Sequence, residues 1–526
     1  MRNGSTEFVL DGEPGARPNV AQAVTDGTGA AFSLSDDGPA RRLRRTWLDT
    51  FDWRLYRAGL ALEQVAGRDT TELVLTGRDG ERLAVEPVIA ANGSRQAVTW
   101  PAQLGALPAG PLRELLEPVV GVRALLPVAR AVSRVRRQRV LNSDAKTVAR
   151  LSVDQMSVSY PAKAETAPRL SVLAIRGYQG QANRLSARLA AAHGIRPGAT
   201  SPLEDALAAA GTQPAGRTRA IHLTAGMPAA TALAAILTSL LDTVEANVRG
   251  TIRDIDTEFL HDLRVGVRRT RSALKLAGAA LPDGMAARYR PGFKWLGDLT
   301  TPTRDLDVYL LGFGEMTAGL VGATHAELEP FGQYLHRARA SAHRDLVRGL
   351  RSARFSHLAN EWRHDLAGAR RGRKRPTVGE LAAQQMAVAQ RRALRAGQRI
   401  TAGSPSTDLH ELRKKCKELR YLVEMFGSLH DPAQRWQAIR ELKALQDCLG
   451  EFQDAEVQRD EIRAFADRML AERSATAATL LAMGEIAAGL AVRQRTARQE
   501  FDGRFADFAS PPSQARLSAL ARAARQ

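Results

Sequence analysis

The feature that most constrains this chain is that its second half repeats itself. HDLRVGVRRTRSALKLAG, His261–Gly278, returns 149 residues later as HELRKKCKELRYLVEMFG, His410–Gly427. With that offset held and no gap, Leu263 meets Leu412, Arg264 meets Arg413, Arg268 meets Lys417, Arg271 meets Arg420 and Gly278 meets Gly427. Further on, Lys294 meets Lys443, Leu296 meets Leu445, Asp298 meets Asp447, Asp305 meets Asp454 and Val308 meets Val457. A repeat of that length is a multi-helix unit and not a local motif, so the segment is expected to fold as two copies of one four-helix arrangement.

The opening helix of each copy carries two stripes at helical spacing. His261, Arg264, Arg268, Arg271 and Lys275 form a cationic one, and Leu263, Val267, Thr270 and Leu274 an apolar one about a quarter-turn away. The second copy repeats both, with His410, Arg413, Lys417 and Arg420 beside Leu412, Cys416, Leu419 and Val423. The basic face therefore adjoins a core face, which predicts the edge of a groove. Lys275 fits by geometry, but its repeat partner is Glu424. Thr257 and Thr407 read as N-caps, which puts each histidine near a helix N-terminus, where free N–H groups and the dipole favour an anion. Like charges at these spacings repel by about 0.2–0.5 kcal/mol per pair. Relief can come from Asp298, Asp305, Asp307, Asp447, Asp454 and Glu456 on the following helices, or from a bound polyanion. A plain solvated face is the competing reading, but solvation does not call for the same cations at the same places twice. The aspartates are read as orienting the arginines, not as metal ligands.

Composition points the same way. The net charge of +19 and pI near 10.7 imply a polyanionic partner. The 5% aromatic content counts against readers that stack bases. At 526 residues and 44% hydrophobic, the chain should build two or three domains with real cores. Cys416 and Cys448 have no metal-ligand or disulfide spacing and fit a reducing cytosol. The first residues lack signal-peptide grammar, and no run of 18 apolar residues is free of charge, so no membrane span is expected. His336, His343 and His364 show no ligand spacing. The Arg370, Arg371, Arg373, Lys374, Arg375 run and the Arg391, Arg392, Arg395, Arg399 face read as solvated.

Upstream of about Leu185 the grammar changes to short alternating strands: Thr70–Gly77, Arg82–Ala90, Arg136–Ser143 and Thr147–Ser159, then a helix over Ala182–Gly194. The expected organisation is a β domain at 1–195, a linker at 196–227 with a short helix near Leu203–Ala210, the repeats at about 228–369 and 377–508, and a frayed tail at 509–526.

LHDLRVGVRRTRSAL, FKWLGDLTTPTRDLDVYL, LHELRKKCKELRYLVEMF and LQDCLGEFQDAEV resemble the CHAD domain, the conserved-histidine α-helical domain. That resemblance implies two pseudo-symmetric four-helix bundles binding inorganic polyphosphate along a basic groove. The groove would be lined by His261, Arg264, Arg268, Arg271 and Lys294 and by His410, Arg413, Lys417, Arg420 and Lys443. Arg304 lies in the RDxD motif, where the second copy has Gln453. RRTWLDTFDWRLYRAGLALE, RRQRVLNSDAKTVARLSVDQMSV and RGYQG resemble CYTH domains, which implies an antiparallel β tunnel. Active CYTH members hydrolyse triphosphates with an ExExK strand and divalent metal. Here Glu7 fits, but Val9 and Asp11 replace the second Glu and the Lys, and Glu63 stands where an arginine is usual.

The fold class expected is therefore α+β in two domains, an antiparallel β tunnel or barrel followed by duplicated four-helix bundles. The function expected is non-enzymatic polyphosphate binding, cytoplasmic and associated with polyphosphate granules, with no catalytic residues, cofactor, metal or membrane partner. The alternatives are a metal-dependent triphosphatase that uses the helical half to recruit substrate, and nonspecific nucleic-acid binding.

Overall fold

The computed structural model describes residues 5–10, 26, 31–68, 70–88, 98–214, 221–369 and 376–524. The chain divides into two compact units, Met1–Thr218 and Arg219–Gln526.

Alternating side chains carry the first unit into strands. They are β1 (Ser5–Leu10), β2 (Ser33–Asp36), β3 (Arg41–Asp49), β4 (Leu60–Ala66), β5 (Thr71–Gly77), β6 (Arg82–Pro87), β7 (Leu126–Leu141), β8 (Thr147–Tyr160), β9 (Ala164–Glu165), β10 (Arg169–Ala174) and β11 (Ile195–Pro197). They form one antiparallel sheet in the order β11-β1-β10-β8-β7-β3-β4-β5-β6, with β2 added to β7 and β9 to β8. Successive residues point to opposite faces, and each face is covered in patches. On one face, α1 (Arg54–Arg57) and α2 (Pro111–Val120) bury Leu48, Leu62, Leu73 and Leu75, while α3 (Gln179–Ala191) buries Leu10, Leu151, Leu170 and Val172. On the other face, α4 (Pro202–Ala209) packs Leu203, Ala206 and Leu207 against Trp47, Ala131, Met156 and Val158.

The expected linker is thus shorter than 196–227. Ile195–Pro197 pairs with β1, and α4 starts on a Ser201–Glu204 capping box with an apolar face that needs burial.

The second unit holds α5 (Ala229–Ile252), α6 (Thr257–Leu276), α7 (Met285–Leu311), the short α8 (Phe313–Ala318), α9 (His325–Leu350) and α10 (Ala353–Ala369). The second copy follows as α11 (Val378–Gly397), α12 (Ser406–Met425), α13 (Pro432–Ala471), α14 (Ala477–Ala509) and α15 (Pro511–Ala523). Advanced by the repeat offset, the ends of α6 land on the ends of α12. The pairing of the copies is symmetric as well. Ala229 N–H donates to the Pro376 carbonyl at 3.0 Å and Val378 N–H to the Met227 carbonyl at 2.7 Å. These are one bond seen from either copy, as at a two-fold axis.

Two cores span both copies, while a third, built on Val244, Leu263, Leu296 and Leu350, lies within the first copy alone. One cluster joins Leu233, Leu274, Phe293 and Trp362 to Leu412, Leu419, Leu445 and Phe501, and a second joins Leu306, Phe331 and Leu335 to Ile462, Phe465 and Met483. α5 is long and apolar enough to cross a bilayer by composition, yet Leu233, Leu237, Leu241 and Val244 on it are buried in the helical cores. Close approach shapes its end: a Cβ on Gly250 would lie 2.2 Å from the Phe259 ring, so only glycine lets α5 meet α6 there.

Three sequence expectations are corrected. The cap of α6 is Asp256, whose carboxylate accepts from Glu258 N at 2.9 Å and Phe259 N at 3.1 Å, so Thr257 is the first helical residue. Thr407 lies inside α12, behind Pro405. The tail is helix α15, with Leu517 and Leu520 buried and Gln390 donating to the Gln514 carbonyl at 3.0 Å. The Arg370–Arg375 run and Asp11 lie outside the described residues.

Candidate functional site

The cations of α6 and α12 converge because the two helices are symmetry mates that pack on each other. Arg268 and Lys417 hold the same repeat position, and their charges meet: the Lys417 ammonium is pulled down to about 8 by burial first, then by the Arg413 and Arg268 guanidiniums. Arg268 also acts on His261 and Arg264. It is exposed and has no hydrogen bond or ion pair among the described residues. His261 is held below the usual histidine range by burial and then by Arg304. Arg264 is lowered by burial too, with Asp305 opposing and Arg268, Arg304 and Arg271 adding to the effect.

The two copies hold their arginines differently. Arg264 donates to Thr300 Oγ1 at 3.2 Å and Thr301 Oγ1 at 2.8 Å. Arg413 instead pairs with Asp454 at 3.0 Å, leaving its buried Nε without a hydrogen bond. Arg420 sits 3.5 Å from Glu424 and also keeps a buried Nε without a hydrogen bond. Arg271 lies exposed against Gly297, where a Cβ would be 2.6 Å from its guanidinium. His410 Nδ1 contacts Gln453 Oε1, while His261 faces Arg304 at the matching place.

Lys275 does not join this cluster as an available charge. It pairs with Glu418 at 2.5 Å, and Arg269 pairs with Glu424 at 3.1 Å. These two bridges are the same pair of repeat positions, with both cations on the first copy and both anions on the second. They pin α6 to α12. Lys294 is exposed and paired to Asp298 at 2.6 Å, and Asp298 also feels Arg271. Lys443 is exposed on α13, and no contact among the described residues ties it to the Arg413–Lys417–Arg420 group. Arg304, left out of the sequence candidates, belongs to the cluster by its charge on His261, Arg264 and Asp305. The signal was the RDxD context, masked by Gln453 in the other copy. Asp307 is spent elsewhere: Arg339 bridges it and Asp254, each at 2.6 Å.

In the first unit the two arginines on the α4-covered face are each held between two carboxylates. Arg45 donates to Glu63 Oε2 at 2.8 Å and pairs with Asp154 at 3.0 Å, and Arg169 holds both Glu7 and Asp205 at 2.5 Å. Asp154 is raised by burial despite Arg45. Among the described residues no three His, Cys, Asp or Glu side chains converge as metal ligands. The carboxylates of this face nearest to what the CYTH resemblance would offer a divalent metal, Glu7, Glu63 and Asp154, are taken up by Arg45 and Arg169. Asp49, in the LDTFDW segment, holds the chain turn together, because its buried carboxylate accepts from the N–H groups of Thr50, Leu55 and Tyr56 at 2.7–2.9 Å.

Residues 235–463 match the CHAD domain family model. Among solved structures, the CHAD domain from the plant Ricinus communis is similar over 55% of this chain and 95% of its own, at 24% identity and a TM-score of 0.48. PptA from Streptomyces chartreusis is similar over 53% and 99%, at 18% identity and a TM-score of 0.41. A Bacillus halodurans protein described as a candidate adenylate cyclase is similar over 38% and 97%, at 11% identity and a TM-score of 0.26. No curated protein matches.

Proposed function

We propose that the CHAD domain carried by residues 235–463 binds inorganic polyphosphate along the cations of α6 and α12, and that the protein acts without catalysis. One observation supports this above the others. Lys417 and Arg268, at one repeat position, bring two cationic rows together at the pseudo-two-fold axis, where burial and the Arg413 and Arg268 guanidiniums lower the Lys417 pKa to about 8. Nearby carboxylates relieve only part of that charge, and a linear phosphate chain supplies closely spaced acceptors for the rest. His261, Arg264, Arg268, Arg271, His410, Arg413, Lys417 and Arg420 are the groups proposed to touch it, with Arg304 beside them. Lys294 and Lys443 would extend the row, and Lys275 would hold the helices in place. Residence in the cytoplasm on polyphosphate granules is part of the same proposal.

The test is binding of long-chain polyphosphate at near-physiological salt, with single-stranded RNA of equal charge as competitor. The expected result is that RNA barely displaces polyphosphate. Equal competition would reduce the site to a generic electrostatic surface, whose affinity falls steeply with salt for any long polyanion.

Lys417 adds a pH signature. Its folded pKa, lowered to about 8, means the ammonium is charged below that value and lost above it. Polyphosphate affinity is therefore expected to fall between pH 7 and 9, and to fall less in Lys417→Arg, whose guanidinium stays charged. The same pH slope in both proteins would remove Lys417 from the site.

A further inference from the structure

The first unit exposes a second row of cations that nothing in the site above uses. Arg45 points to the α4-covered face, where it meets Glu63 and Asp154, so Arg42 and Arg44 point the other way. Register carries that face across the sheet: Arg42 lies directly opposite Arg134, Arg44 opposite Val132, and Thr46 opposite Arg130. Ser133 is fully buried on the inner side, so Arg134 and Arg136 flank it on the outer one. Arg42, Arg44, Arg130, Arg134 and Arg136 are all exposed.

Two further observations mark this row as built. First, among the described residues the helices leave it open. α3 packs on β8, β10 and β11 and α2 on β6, so the strip over β3 and β7 lies between covered patches. Second, the arginines have no counter-charges. Among the described residues none of the five makes an ion pair. The nearby carboxylates on this face are engaged by neutral groups: Gln138 reaches Asp36 at 3.5 Å and Ser157 donates to Glu165 at 2.9 Å. Directly opposed like charges destabilise a strand pair, yet Arg42 and Arg134 are so placed. The one large aromatic exposed beside the row is Tyr160, opposite Arg130. Forked donors with a single ring suit a phosphate chain, not stacked bases.

We propose that this outer face of β3 and β7 is a second contact surface for inorganic polyphosphate, so that one long chain engages both units. The inference rests on the ligand assigned to the helical domain. A flexible polymer needs no fixed arrangement of the two units to reach both, and the second contact raises affinity through effective concentration.

The experiment uses the full-length chain and two changes. The first is R264E/R413E in the helical domain, and the second adds R42Q/R44Q/R134Q/R136Q to it. Charge removal on an exposed strand face relieves repulsion, so a melting temperature no lower than that of R264E/R413E verifies folding. The helical variant is expected to retain weak binding to long-chain polyphosphate. The added sheet substitutions should lower that residual binding by about tenfold or more. Equal residual binding in the two variants would overturn the inference, as would displacement of the polymer from R264E/R413E by RNA of equal charge as readily as by polyphosphate. Failure of the helical assignment reads differently, as unchanged binding in R264E/R413E itself.

Discussion

Arg264→Glu combined with Arg413→Glu is expected to lower the affinity of the helical domain for polyphosphate by about a thousandfold. Each wild-type guanidinium offers a charge-assisted hydrogen bond of about 1.5–3 kcal/mol, and reversal adds repulsion, so two changes remove at least about 4 kcal/mol. The two arginines are repeat equivalents in different surroundings. Arg264 is held by Thr300 and Thr301, while Arg413 is shared with Asp454. Arg264 therefore has more of its charge available, and Arg264→Glu alone should cost more than Arg413→Glu alone. Arg264→Gln and Arg413→Gln guard against misfolding, because they drop the charge without setting a carboxylate beside Asp305 or Asp454. Arg391→Glu, on an exposed helix face, should leave binding within about twofold. Isothermal titration with short and long chains reads all of these. Equal losses in Arg391→Glu and Arg264→Glu would mean that net charge, not the α6–α12 cluster, attracts the polymer.

The repeat made the helical half legible to a degree that no single helix would have allowed. Its offset carries the observed ends of α6 onto those of α12, because a duplicated sequence must satisfy the same packing twice. What it could not show is which partners each cation finds. Lys275 sits on the stripe by angle, and only the packed helices show that Glu418 takes its charge. The mismatch with Glu424 was the visible clue. The α6 cap falls one position before Thr257 for a local reason: Asp256 and Thr257 are both good caps, and chain entry decides between them, while the cap position of α12, Pro405, falls two before Thr407. The tail signal was present in Ser510-Pro511 followed by Leu517 and Leu520, but apolar spacing that short decides nothing until α11 offers a surface. In the first unit alternation gave strands. Strand order, and with it the pairing of Arg45 with Glu63 and the open arginine row, depends on contacts between distant segments that no local pattern encodes.

His430→Leu is expected to stabilise the helical unit, and most strongly in acid. His430 is 7% exposed, and neither ring nitrogen has a hydrogen-bond partner among the described residues. Burial, and then Arg435, pull its pKa down to about 4. The unfolded chain takes up this proton near pH 6.5 and the folded chain does not, so stability is lost as pH falls from about 6.5 through 4. That loss amounts to about 3 kcal/mol by the bottom of the window. The first copy shows the remedy, because Leu281 occupies the matching position and is 5% exposed. Leucine removes two unsatisfied nitrogens, worth about 1–3 kcal/mol in a buried site, and keeps the space filled. At pH 7.5 the variant should unfold at higher denaturant than the wild type, and at pH 4.5 the gap should widen. Chemical denaturation followed by helix signal at both pH values measures it. Parallel pH dependences would show that His430 is protonated or solvated in the folded chain and that acid sensitivity originates elsewhere. The position also bears on the repeat itself. His430 stands just ahead of Asp431, which caps α13 by accepting from Gln434 N at 2.9 Å, and Arg435 donates back to the Gly427 carbonyl at 2.7 Å. The second copy thus carries a titratable ring at the turn position where the first has Leu281, so the two copies differ in how acid loosens this turn.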